Sequence, residues 1–153
     1  MAFASGAPAA SVLIARVARV VRQRLESALE PMGLRQRQLV ALGYLREHGP
    51  TPQQALARSL CMDASSLVCL LNDLEDRDLI VRGRDRSDRR RGILELTREG
   101  QQAMRKIDRA LERIDEEMLF DLDKEEREAL RGLLARLAGG ELDWGAVAAE
   151  GAE

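Results

Sequence analysis

The sequence is short of most residue types on which catalytic and metal chemistry depends. It has a single histidine, His48, and two cysteines, Cys61 and Cys69, that form no CxxC pair. No zinc site can be assembled from that inventory. A Ser/His/Asp set could recruit only the one imidazole, and no glycine-rich phosphate loop is present. No Ser/His/Asp set, phosphate loop or metal cluster is found, and neither an enzymatic activity nor a cofactor is expected. Two cysteines in 153 residues fit a reducing, cytoplasmic setting better than a disulfide scaffold.

Aromatic residues make up only 3% of the chain, and Tyr44 and Trp144 are too few to define an aromatic pocket. No stretch approaches the ~18 uninterrupted apolar residues of a membrane span, so no membrane partner is expected. Met1 to Val21 lacks a basic leader, and Arg16 and Arg19 interrupt its apolar run. That segment reads as a tail entering a helix rather than a signal peptide.

Leucine, alanine and valine carry the apolar content instead, which favours helices with aliphatic interfaces. The net charge is only −2, but it is unevenly spread. Between Arg77 and Arg91 seven arginines meet three aspartates, a local +4 that leaves −6 for the rest of the chain. The sequence pI of about 5.6 is far from a uniformly basic nucleic-acid binder. A local basic patch on an acidic protein points to a specific anionic partner.

Periodicity places the elements. Residues 1–10 read as a disordered N-terminal tail. Ser11 is positioned to cap a first helix carrying Leu13, Val17, Val20, Val21, Leu25 and Leu29 at helical spacing, ended by Pro31 and Gly33. A second helix covers about 35 to 47, with Leu39, Leu42 and Leu45 on one face. Thr51, Pro52 and Gln54 have the order of an N-cap, N1 and capping box for a third helix that runs to about Leu60. Asp63 can cap a fourth, with Leu67, Leu70, Leu71 and Leu74 inward and Ser65, Ser66, Val68, Cys69, Asn72 and Asp73 outward. Leu79 to Arg84 and Arg91 to Leu96 read as a hairpin with a long arginine-rich tip. Thr97 caps a helix from about 98 to 120, whose Met104, Ile107, Leu111, Ile114 and Met118 are spaced 3, 4, 3, 4 like a coiled-coil seam. Asp123, with Glu126, starts a sixth helix bearing Leu130, Leu133, Leu134 and Leu137, closed by Gly139-Gly140. The Ala/Glu-rich tail 141–153 holds Trp144, which is expected to anchor it.

The expected fold class is mainly α with a small β-hairpin wing: a winged helix-turn-helix with N- and C-terminal dimerisation helices. On the family resemblance given below, segments 11–32 and 98–140 are expected to form the dimerisation region and 33–97 the DNA-binding lobe. The order helix, turn, helix, basic hairpin places the second of those helices in a major groove. Arginines of the wing can then enter a minor groove or bind phosphate. Candidate DNA-binding residues are Thr51, Gln53, Ser65, Ser66, Val68, Cys69, Asn72, Arg84, Arg86, Arg89, Arg90 and Arg91. Asp85 and Asp88 are expected to shape the wing by pairing with its arginines. Candidate dimerisation residues are Leu13, Val17, Val21, Met104, Ile107, Leu111, Ile114, Leu130, Leu133, Leu134 and Leu137.

These motifs resemble the multiple antibiotic resistance regulators, the MarR family, from about Gly33 to Gly100. The resemblance runs through Leu34, Gln38-Leu39, Glu47-His48-Gly49-Pro50 and Leu56-Ala57-Arg58. It is strongest in Asp63-Ala64-Ser65-Ser66, Leu67, Leu70-Leu71, Asn72-Asp73-Leu74-Glu75 and Arg77-Asp78-Leu79-Ile80. The wing Asp85-x-x-Asp88-Arg89-Arg90 leading to Leu94-x-Leu96-Thr97-x-x-Gly100 completes it. The resemblance implies a two-fold homodimer on a pseudo-palindromic operator in double-stranded DNA, usually a repressor. It also implies release by a small phenolic or aromatic effector or by oxidation.

Two departures stand out. Many relatives have Thr then Arg where this chain has Val68 and Cys69, which favours, as an alternative, a protein-interaction module (an anti-repressor) with weakened DNA binding. Relatives often have Gly at Cys61. If the turn there needs a positive φ, cysteine costs on the order of 1 kcal/mol; otherwise the turn differs. Two readings stand for Cys61 and Cys69: a redox switch, or small, partly buried hydrophobes. His48 reads as a helix C-terminal cap.

Overall fold

A computed structural model describes residues 7–84 and 92–139. Helix α1 spans Ala10–Leu29 and ends in a 3-10 turn, Glu30–Met32; α2 spans Gln36–His48. A two-residue strand, β1 (Thr51–Pro52), precedes α3 (Gln53–Ser59) and α4 (Ala64–Asp76). Strands β2 (Ile80–Arg84) and β3 (Gly92–Leu96) lead to α5 (Arg98–Met118) and α6 (Lys124–Leu137). The antiparallel sheet has the order β1-β3-β2, with Thr51 opposite Leu94 and Arg82 opposite the same Leu94 across the other edge. No single described helix is long and apolar enough to cross a membrane.

The hairpin and all six helices match the sequence pattern; β1 does not. A strand of two residues has no periodicity to read, and its Pro52 is tolerated because β1 lies at the sheet edge. This strand overturns the expected start of α3. Thr51 is drawn into the sheet, Pro52 becomes the N-cap, and no side chain caps the helix, so Gln54 completes no capping box. Likewise Ser11 lies inside α1, whose N-cap is Ala9 without a side-chain hydrogen bond. The caps at Asp63, Thr97 and Asp123 are as expected, each accepting from the amide three residues on.

Helix α2 runs through the middle of the core. Val40, Ala41, Leu42, Gly43 and Leu45 are all buried, so its apolar surface is wider than the Leu39/Leu42/Leu45 stripe, and Leu39 itself is only half-buried. Around it close Leu56 of α3, Leu71 and Leu74 of α4, Leu94 of β3 and Ile107 of α5. His48 ends α2 as expected: its Nδ1 lies 3.0 Å from the Tyr44 carbonyl oxygen, and its ring stacks on Tyr44 at 4.0 Å.

Arg77, at the C-terminal end of α4, ties the two halves of the chain together. Its guanidinium donates to the carbonyls of Gly33 (2.7 Å) and Met32 (2.5 Å), just after α1. The exit of α1 and the end of α4 are thus held by charge-assisted bonds.

Cys61 adopts φ +50°, the left-handed conformation that glycine prefers. It closes α3 with a double bond pattern, Cys61 N–H to Arg58 O and Met62 N–H to Ala57 O (3.3 and 3.1 Å). The turn therefore does require positive φ. Cys61→Gly is expected to stabilise the protein by about 1 kcal/mol, read from the urea midpoint. An unchanged or lower midpoint would mean that the thiol's contacts offset the strain.

Candidate nucleic-acid interface

Helix α4 buries Leu67, Leu71 and Leu74. That anchorage turns Ser65, Val68, Cys69 and Asn72, at i, i+3, i+4 and i+7, outward as one exposed stripe. Short side chains on that stripe leave the helix axis close to any surface it meets.

Asp63 organises the start of α4. Its Oδ1 accepts from the Ser66 amide (2.9 Å) and the Ser65 hydroxyl (2.6 Å), and its Oδ2 accepts from the Ser66 hydroxyl (2.6 Å). The Ser65 hydroxyl, then that of Ser66, then the backbone amide hold this carboxyl well below the usual carboxylate range. Both serine protons are thus committed to Asp63; Ser65 is exposed and can act as an acceptor, and Ser66 is half-buried. A lowered folded pKa means that the stabilisation is complete above the ordinary value of 3.8 and fades as pH falls toward the folded value. Asp63→Asn is therefore expected to lower the thermal midpoint at pH 7, and the gap to the parent should narrow below about pH 3.8. A gap independent of pH would assign the effect to cap geometry alone.

Strand β2 packs beside α4. Arg82 reaches back across this junction: Nη2 donates to Asn72 Oδ1 at 2.5 Å, and Nε lies 3.3 Å from Glu75 Oε2. Arg84, at the far end of β2 opposite Gly92, is exposed. Asp85, Arg86, Asp88, Arg89, Arg90 and Arg91 lie outside the described residues.

One expected contact needs correction. Thr51 is buried, 4% exposed, and its hydroxyl donates to the Gly49 carbonyl at 2.9 Å, so it has no free surface for DNA. Gln53 is half-buried at the start of α3. The cysteines also differ from the buried reading: Cys61 and Cys69 are both free and both exposed.

The candidate dimer residues separate into two groups. Met104, Ile107 and Ile114 are buried in the chain's own packing, together with Gly100 and Ala110, and are not a free seam. Leu111, expected on that seam, is 37% exposed. The small Ala110 takes its place, and a groove of about 440 Å³ runs beside it between α1 and α5, lined in part by Ala28 and Ile114. Arg24 of α1 meets Glu117 of α5 (2.5 Å), and Arg46 of α2 grips Asp108 of α5 through both carboxylate oxygens (2.8 Å). By contrast Leu13, Val17, Leu133, Leu134 and Leu137 are exposed, and Val21 and Leu130 are half-buried. No residue of α6 is buried.

Sequence reasoning passed over Arg82, Arg77 and the Gln38–Asp73 hydrogen bond between α2 and α4. Arg82 counted only toward the basic stretch. Its partner lies ten residues away across a turn, and no local pattern marks such a pair. Among the described residues no cluster of metal-ligating side chains occurs.

Helix, turn, helix with an outward polar stripe, then an antiparallel hairpin against a three-stranded sheet, define a winged helix-turn-helix protein. The sequence profile of the MarR family matches residues 34–91. A Pseudomonas aeruginosa protein of known structure, assigned as a transcriptional regulator, is 35% identical. Its alignment covers 81% of this chain and 96% of that one, with a TM-score of 0.61. A mutant of S. aureus MepR, solved bound to an oligodeoxyribonucleotide, is 24% identical and shares the fold at a TM-score of 0.66, over 88% of this chain and 99% of that one. A Thauera aromatica protein assigned as transcriptional regulatory protein for the hcr operon is 44% identical over 85 residues, 56% of this chain. The match spans about half of that relative, 51% of its length. The chain belongs to the MarR family, a family of transcriptional regulators and not of enzymes.

Proposed function

We propose that the protein is a dimeric, sequence-specific DNA-binding regulator. The observation that carries this reading is the exposed stripe of α4 beside β2, which is followed in the sequence by the arginine-rich segment 84–91. Each subunit inserts α4 into a major groove, the two grooves lying about one helical turn apart on a pseudo-palindromic operator. The arginines after Arg84 hold flanking phosphates or a minor groove. The protein acts as a repressor, and a small aromatic or phenolic effector, or oxidation at Cys61 and Cys69, changes the spacing of the two α4 helices. Such a signal acts only through its differential affinity for the two spacings. Family membership supports the repressor and effector elements of this reading. The exposure of both cysteines supports the oxidative one.

The test is fluorescence anisotropy with the upstream intergenic DNA across a salt series. A nanomolar complex, steep in salt and far above the non-specific background, is expected. Arg89→Ala and Arg90→Ala should each weaken it and lower the salt slope by about one unit. Unchanged affinity and slope in both variants would remove the wing from the mechanism. Val68 and Cys69, exposed where a threonine and an arginine are common, favour a second reading, an anti-repressor that docks on protein. Only weak, sequence-indifferent binding at physiological salt, with no specific site in a genomic fragment library, would support it.

A further inference from the structure

We propose that Arg82 is a positioning residue that sets the base preference of Asn72, so that α4 reads a hydrogen-bond acceptor there, guanine before thymine, and not adenine. This inference rests on the DNA-binding reading above and specifies one of its contacts.

An arginine has donors and no acceptor. The guanidinium of Arg82, 2.5 Å from Asn72, therefore meets the amide oxygen and fixes which way the amide faces. Glu75 lies 3.3 Å from Nε of the same guanidinium, a second contact that holds Arg82 toward α4. The basic side chain nearest the body of the wing is thus satisfied within the chain. Asn72 is exposed, on the stripe with Ser65, Val68 and Cys69. With its oxygen held on the Arg82 side, the group Asn72 offers to a partner is the NH2, two donors; the oxygen keeps a second lone pair, but that lone pair sits beside the guanidinium cation.

The usual asparagine–adenine pairing is bidentate and needs both ends of the amide, the oxygen accepting from N6 and the nitrogen donating to N7. With one lone pair taken and a cation beside it, the oxygen of Asn72 is the weakened half of that pairing. Guanine presents N7 and O6 side by side as acceptors in the major groove, and thymine presents O4. Guanine therefore matches the pair of donors, and adenine and cytosine each bring an amino group toward another donor.

The experiment is selection of bound sequences from a random-sequence duplex DNA library by the full-length chain and by Asn72→Ala, Asn72→Asp and Arg82→Met. Anisotropy titrations follow on four duplexes that differ at the position sensitive to Asn72. The parent chain should prefer guanine there by roughly tenfold over adenine. Asn72→Ala should flatten the preference. Asn72→Asp keeps the Arg82 partner but turns an acceptor outward, and should move the preference toward cytosine. Arg82→Met frees the amide oxygen and should raise adenine to near guanine. A purely structural role for Arg82 would weaken all four duplexes alike, and that result would overturn the proposal. Adenine preferred by the parent chain, or base preferences unchanged in both Asn72 variants, would overturn it too. If the parent chain enriches no sequence at all, the operator-binding reading fails and this inference fails with it. Enrichment without the predicted shifts removes this inference alone. Asn72 is an exposed helix position, so its two variants keep the test independent of any loss of folding in Arg82→Met.

Discussion

Gly100→Ala is expected to destabilise the protein by about 3 kcal/mol, at the upper end of overpacking penalties. A Cβ built on Gly100 would stand 2.1 Å from the carbonyl oxygen of Leu79 and 3.1 Å from its carbon. These are backbone atoms that cannot rotate away. The Leu79 oxygen also accepts from the Thr97 amide (3.2 Å), and the Thr97 hydroxyl donates to the Asp78 carbonyl and accepts from the Gly100 amide (3.0 Å). The start of α5 is thus locked against the turn that leads into β2. An added methyl must part the two and disturb the sheet from its Ile80–Leu96 end. Urea unfolding should show the loss, with a thermal midpoint lower by roughly 10 °C. Gly132 is the control. Open space surrounds its Cβ direction on α6, so Gly132→Ala should be neutral or stabilise by up to about 1 kcal/mol. A small effect at Gly100 would mean that α5 can slide along the sheet, and that the junction is softer than its hydrogen bonds imply.

The second large effect concerns assembly. Leu133→Asp combined with Leu137→Asp is expected to convert a dimer into a folded monomer and to weaken operator binding by about a hundredfold or more. Leu133 and Leu137 are 53% and 72% exposed in the single chain, and Leu13, Ile14 and Val17 of α1 are about half exposed. Two unpartnered apolar faces of this size call for a second copy. Charges there should leave the monomer core untouched, because α6 contributes no buried residue to it. Light scattering reads the mass, circular dichroism the fold and anisotropy the loss of two-site binding. A variant that stays dimeric would move the interface away from α6.

Helix α5 shows where periodicity stops: Met104, Ile107 and Ile114 are buried within the chain, whereas Leu111 stays exposed. A 3, 4, 3, 4 spacing on α5 fits either a coiled-coil seam or an ordinary amphipathic helix, because 3.5 and 3.6 residues per turn drift apart by only about 40° over the two heptads from Met104 to Met118. The fold takes the second option: Met104 and Ile107 face the lobe's core, Ala110 replaces Leu111 on the buried side, and the seam is spent within one chain. Periodicity finds an apolar face but does not say whether it is buried by the same chain or by another. Thr51 failed for a related reason. Its cap chemistry was correct for a helix start, yet a backbone ladder to Leu94, forty-three residues away, outcompeted it.

The amino-acid sequence by itself determined the class of the protein. Leucine spacing, the caps at Asp63, Thr97 and Asp123, and the basic hairpin placed six helices and a wing in order, because those signals act within a few residues of one another. Tertiary structure alone decided the third strand, the inward turn of Met104 and Ile107, the Arg77 clamp on Gly33, the close approach of Gly100 to Leu79 and the engagement of Asn72 by Arg82. Each of these joins residues that are distant in the chain or separated by a turn. The energy of such a contact depends on where whole elements pack, and no local pattern of residues encodes that.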